Sequence, residues 1–221
     1  SDVYKRQVAI HPNDSINHLN GVGRHGEELP SLDDAIAELS DLLDHERMVA
    51  VGETGLDWFR TSKKKPAHRE AQIQSFRMHI ALAKEKNLPM QIHDRDAHAD
   101  VLQVLDAEGT PEPTVFHCFS GDAEFARAVL DRGCYLSFAG TVTFKNAQNL
   151  RDALEITPLN RVMVETDAPF LTPEPWRGRP NSSYLIPHTM QTIADVKGVS
   201  LKEACVAVRA TEREVYGWAG A

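Results

Sequence analysis

Cysteine is scarce in these 221 residues. Cys118, Cys134 and Cys205 are an odd number, widely spaced and set in apolar contexts. That excludes a disulfide framework and a zinc knuckle, and it leads us to expect a reduced, cytoplasmic protein. Long hydrophobic runs are also missing: nothing approaches the ~18 residues of a membrane span. The polar opening Ser1-Asp2-Val3-Tyr4-Lys5-Arg6-Gln7 is not a signal peptide, so no membrane is expected among the partners. Positive charge is short, since 24 Lys and Arg face 32 Asp and Glu for a net charge of −8. No global basic field can therefore attract nucleic acid, and any such contact must be local or carried by metal ions. Internal repeats, low-complexity segments and a Gly-x-Ser-x-Gly nucleophile motif are absent from the sequence. No obligate protein partner is evident.

What is present suits a packed core. Hydrophobic residues make up 42% and charged residues 25%, and the length fits a single domain over residues 1–221. Residues 1–7 are polar enough to be foreign or disordered. Short apolar runs read as strands at Val8–His11, Met48–Glu53, Pro89–His93, Thr114–His117, Cys134–Phe138 and Arg161–Glu165. Their near-continuous apolar character suits parallel strands covered on both faces.

Helix-period segments lie between them. Ser31-Leu32-Asp33-Asp34 reads as a capped start, followed by Leu32, Ile36, Leu39 and Leu43 at helical spacing. Pro66 to Lys86, Asp96 to Leu105, Asp122 to Arg132 (stopped by Gly133) and Asn146 to Ile156 follow. Ser200-Leu201-Lys202-Glu203 is a capping box opening a last helix that carries Val206. Strand–helix alternation predicts an α/β fold with right-handed βα units and a parallel sheet. A closed (β/α)₈ barrel needs eight strands, and the runs named above are two fewer. An open doubly wound sheet and a barrel lacking its first two βα units both remain open on composition.

The residues that close the strands carry the functional signal. Met48–Gly52 ends in Glu53, Met90–Ile92 in His93 and Thr114–Phe116 in His117. Val162–Val164 reaches Glu165, with Asp167 two residues on. Parallel strands share one C-terminal edge, where ligands bind in open sheets and barrels alike. Taken singly, each residue has an ordinary explanation, as a satisfied loop histidine, a helix cap or a turn starter. Glu, His, His and Asp on one edge together form a divalent-metal ligand set. Around it, His11 before Pro12 and Lys63, Lys64 and Lys65 are candidate substrate contacts, and Asp57 beside Trp58 is a candidate substrate contact, a residue that orients a ligand from behind, or one bonded to backbone. Cys118, between Phe116-His117 and Phe119, reads as a small buried hydrophobe.

These segments resemble a known family. Ala9-Ile10-His11-Pro12, Gly52-Glu53-Thr54-Gly55-Leu56-Asp57, Ile92-His93-Asp94-Arg95-Asp96-Ala97, Phe116-His117-Cys118-Phe119-Ser120-Gly121 and Glu165-Thr166-Asp167-Ala168-Pro169-Phe170-Leu171-Thr172-Pro173 are similar, in order and spacing, to the motifs of the TatD family of metal-dependent deoxyribonucleases. The resemblance implies a TIM-barrel hydrolase of the metal-dependent type with two divalent ions, Mg²⁺, Mn²⁺ or Zn²⁺. It implies that Glu53 bridges both ions and that His93 and His117 bind the second. Asp167 would lie at the first ion and orient or deprotonate the attacking water. The implied activity is that of a DNase or 3′–5′ exonuclease, with DNA or another phosphodiester as substrate.

Two departures stand out. The family's opening His-x-His strand is not found before Ala9-Ile10-His11-Pro12, so the chain is expected to begin near the third strand and to hold about one tight ion. After Arg177-Gly178-Arg179 the segment reads Pro180-Asn181-Ser182-Ser183-Tyr184, where the family more often has Asn-Glu-Pro. An amidohydrolase-like enzyme acting on a small ester or amide, and an inactive metal-binding fragment, are the competing readings.

Overall fold

The structure, a computed structural model, describes residues 6–62 and 64–217. The chain divides into two compact units, residues 1–114 and 115–221. The first holds β1 (Arg6–Val8), α1 (Ser15–Asn20), α2 (Leu32–Leu43), β2 (Met48–Asp57), α3 (Pro66–Lys86), β3 (Met90–Arg95) and α4 (His98–Glu108). β1 pairs with β2 and β2 with β3, both parallel. Ala50, Val51, Leu56, Met90 and Ile92 are fully buried, as continuous apolar runs in a parallel sheet require. Ser31 caps α2 by accepting from the Asp34 N–H at 3.1 Å, and Ala35, Leu39 and Leu43 form the helix's buried stripe.

Two strand boundaries differ most from the expected ones, each because of a partner far along the chain. β1 covers Arg6–Val8 rather than Val8–His11. Beyond it the Ile10 N–H donates to His79 Nε2 (3.0 Å), and His11 caps a 3₁₀ turn at Pro12–Asp14. Arg6 and Gln7, read as part of a foreign segment, lie in β1, while residues 1–5 are outside the described residues. β2 does not stop at Glu53 but runs on to Asp57. Its register slips between Val51, opposite Met90, and Thr54, opposite Ile92, which leaves one extra residue on β2. Such a bulge re-aims side chains, and Glu53 sits within it.

His79 links α3 to the segment after β1. Its Nδ1 lies 2.6 Å from the Ser75 carbonyl and its Nε2 accepts from Ile10, so two backbone partners fix the neutral Nδ1–H tautomer. The ring is fully buried, and burial pushes its pKa down to about 4 against a smaller opposing effect of the Ser75 bond. The unfolded chain, with a histidine pKa of 6.5, then binds the proton that the folded chain refuses between pH 6.5 and about 4. Stability must rise with pH through that window and be lost as pH falls through it, by about 3 kcal/mol. Urea denaturation at pH 7 and pH 4.5 checks this. His79→Gln, which cannot titrate, should remove that histidine's share of the slope.

The second unit holds β4 (Thr114–Phe116), α5 (Ala123–Leu130), β5 (Tyr135–Phe138), α6 (Gln148–Ile156), β6 (Val162–Val164), α7 (Ile186–Lys197) and α8 (Leu201–Tyr216). β4 pairs with β5 and β5 with β6, again parallel. Val115, Tyr135, Met163 and Val215 form a buried cluster against which Tyr216 packs. The Ser200–Glu203 capping box is present in both directions. Val206 lies on α8 but does not face the core. It is exposed, and α8 instead buries Ala204, Val208, Thr211 and Val215. α7, unforeseen, starts with Pro187 in its first turn and ends at Gly198 in the left-handed conformation. The strands number six among the described residues, and the α/β class is as expected. Among these residues no helix is long and apolar enough to cross a membrane.

Candidate functional site

In the first unit the bulge on β2 brings Glu53 to His93 on β3, with Glu53 Oε1 2.5 Å from His93 Nδ1. His11 completes the group, its Nε2 3.6 Å from the same carboxylate oxygen and its ring centroid 4.9 Å from that of His93. One ligand atom from each of His11, Glu53 and His93 lies within 4.8 Å of the others. Two imidazoles and a carboxylate at this spacing are a donor set for a divalent transition metal or zinc. The expectation had His11 as a substrate contact; its place is beside Glu53 and His93.

Asp57 stands behind His93. It is almost wholly buried, and its Oδ2 lies 3.4 Å from His93 Nε2. It also accepts from Asn13 Nδ2 and from the Arg60 N–H, each at 2.8 Å. Burial alone would raise its pKa, but the His93, Asn13 and Arg60 bonds outweigh that and hold the carboxyl well below the usual carboxylate range. Burial pushes His93 down, yet Asp57 and Glu53 together lift its pKa above 6.5. His93 Nδ1 is hydrogen-bonded to Glu53, and its Nε2 faces the Asp57 carboxylate across 3.4 Å. The structure places Asp57 against His93.

The chemistry of His11 fits an ion with one adjustment. Its Nδ1 accepts from the Asn13 N–H at 3.1 Å, so in the neutral ring Nε2 carries the proton. Ligation through Nε2 would need that proton moved to Nδ1, with loss of the Asn13 hydrogen bond.

In the second unit His117, at the exit of β4, has Nδ1 2.6 Å from Glu165 Oε2. The other Glu165 oxygen accepts from the Cys118 N–H. The neutral His117 ring so held carries its proton on Nδ1 and its lone pair on Nε2, the form a metal ligand requires. Cys118 is half-buried rather than buried, with a φ of 46° that turns its N–H toward Glu165. Asp167 lies at φ 54°, opening a loop tied by Asn181. The Asn181 amide donates to the Thr166 and Phe170 carbonyls at 2.8 and 2.7 Å.

Glu165 and Asn181 are the supporting residues that sequence reasoning passed over. Glu165 carried the same strand-end signal as Glu53; Asn181 had none beyond its polarity. Lys64 and Lys65 are exposed on the segment after β2. Lys63 lies outside the described residues.

Residues 4–217 match the family described as TatD related DNase. An uncharacterized metal-dependent hydrolase TatD of Mycobacterium tuberculosis is 42% identical over 198 residues, covering 89% of this chain and 75% of the relative. The uncharacterized metal-dependent hydrolases YabD of Bacillus subtilis and YcfH of Escherichia coli K12 are 42% and 43% identical. Each match covers 76% of this chain but only 65% and 62% of those relatives. The solved structure of YJJV, a TatD homologue from Escherichia coli K12, superposes with a TM-score of 0.82 at 24% identity, covering 97% of this chain and 77% of that one. An uncharacterized amidohydrolase from Saccharomyces cerevisiae gives 0.76 at 16% identity, covering 96% of this chain and 80% of its own. The fold is therefore that of the TatD and amidohydrolase-type TIM-barrel proteins.

Proposed function

We propose that this chain, which belongs to the TatD related DNase family of metal-dependent hydrolases, cleaves phosphodiester bonds of DNA with a metal-activated water. The observation that carries the reading is the group His11, Glu53 and His93 with Asp57 behind it. Divalent ions supply such sites with a water of lowered pKa and with charge to stabilise an in-line displacement at phosphorus. His11, Glu53 and His93 would hold the ion, with Asp57 positioned behind His93. His117 and Asp167 are the further ligands that the motifs imply, with Glu165 orienting His117. Asp167 accepts or steers the proton of the attacking water. The site would take Mg²⁺, Mn²⁺ or Zn²⁺, and the products would be nucleotides released by 3′–5′ exonuclease action.

The test is hydrolysis of linear DNA with Mg²⁺, Mn²⁺ or Zn²⁺, beside a panel of small esters and amides. We expect nucleotide release that a chelator abolishes and added ion restores. Chelator-sensitive turnover of the esters or amides with DNA left intact would overturn the DNase reading and favour an amidohydrolase-like one.

A further inference from the structure

We infer that Phe59, backed by Arg95, is a stacking platform for a base of single-stranded DNA, with Arg60, Lys64 and Lys65 beside it for the phosphates. The inference rests on the DNase reading and names how that substrate is held.

Trp58 and Phe59 follow directly on Asp57 at the end of β2, yet their fates differ. Trp58 donates from Nε1 to Asp100 at 2.6 Å, and Arg69 covers its ring at 4.3 Å. Phe59 is 63% exposed, while the Arg95 guanidinium lies 3.8 Å from its centroid. The backbone on both sides of Phe59 is fixed. The Trp58 N–H donates to the Arg95 carbonyl and the Arg60 N–H to Asp57 Oδ1, each at 2.8 Å. An apolar ring held this firmly in water gains little for the fold. It is already ordered for a planar ligand, which lowers the entropy cost of binding one. Asp57 and Arg95 are register partners, and His93 is two residues before Arg95, so the ring leaves the same strand ends that carry the candidate metal group.

Charge selects the ligand's class. From Trp58 to Arg69 the chain carries Arg60, Lys63, Lys64, Lys65 and Arg69 and no carboxylate, in a protein of net charge −8. An aromatic face beside a local run of cations is how single strands are held without sequence preference, bases on rings and phosphates on lysine and arginine. A paired duplex keeps its bases stacked on each other and cannot offer one to Phe59.

The experiment compares a short phosphorothioate oligothymidylate, slow to hydrolyse, with its abasic counterpart by fluorescence anisotropy on the metal-loaded protein. The base-bearing strand should bind on the order of tenfold more tightly. Phe59→Ala should erase that preference, with unchanged Mn²⁺ affinity and thermal melting showing that the fold survives; Phe59→Trp should keep it. The double change of Lys64 and Lys65 to Gln should weaken both strands alike and flatten the salt dependence. A base preference that persists in Phe59→Ala, or no preference in the unaltered protein, overturns the platform while leaving the DNase reading in place. Failure of the unaltered protein to bind either strand or to hydrolyse DNA overturns the reading itself, and the platform with it. Tighter binding of oligouridylate with the same dependence on Phe59 overturns DNA as the occupant in favour of RNA.

Discussion

Glu53→Gln should abolish tight divalent-metal binding and cut hydrolysis by about a thousandfold, without unfolding the protein. The side chain sits at the bulge of β2, half-buried, with one oxygen 2.5 Å from His93 and 3.6 Å from His11. Glutamine fills the same volume, so packing is retained, but it offers no negative charge. Lost charge stabilisation in a preorganised site is felt at about 10²–10³ in rate, and a missing ligand removes the ion as well. Metal content after dialysis, calorimetric titration with Mn²⁺, and DNA hydrolysis measure the three effects. In the unaltered protein the raised His93 pKa carries a further sign. Protons compete with metal at Nδ1, so affinity should start to fall with decreasing pH while the pH is still above 6.5. Tight metal binding in Glu53→Gln would remove Glu53 from the ligand set.

The parts of this fold legible in the sequence are those decided locally. The Ser31 and Ser200 caps were readable because a cap is a short-range bond between residues three apart. Gly133, with a φ of 77°, was readable as a helix stop for the same reason. The strand-end Glu and His residues stood out against apolar runs that only a doubly covered sheet explains. What escaped was set by distant partners. The expected strand stops at Glu53, but pairing with Ile92–Arg95 carries it on through Thr54-Gly55-Leu56-Asp57. His79 sits among helix residues with nothing to mark it; its importance comes from an Ile10 N–H 69 residues away. His11, too, is separated from Glu53 and His93 by most of the first unit's chain, so only the folded unit shows the three together.

Gly55→Ala should be the most damaging single-methyl change in the first unit. Gly55 has a φ of 132°, a backbone region that side chains rarely adopt. It stands opposite His93 in the parallel register, and a Cβ built on it would fall 2.1 Å from the His93 carbonyl oxygen. Backbone cannot yield as a flexible side-chain tip can, so relief requires β2 and β3 to part beside Glu53 and His93. Dihedral strain and overpacking together should cost about 3–5 kcal/mol, and the displaced ligands should weaken Mn²⁺ binding in whatever protein still folds. Gly21→Ala separates the two causes. Gly21 has a φ of 69° at the end of α1, but a Cβ there meets nothing within 4 Å, so only the strain remains, about 1 kcal/mol. Urea denaturation of both variants gives the difference. Equal destabilisation would mean that the Gly55–His93 approach does not constrain the strands, and that the candidate metal group is held by its side chains alone.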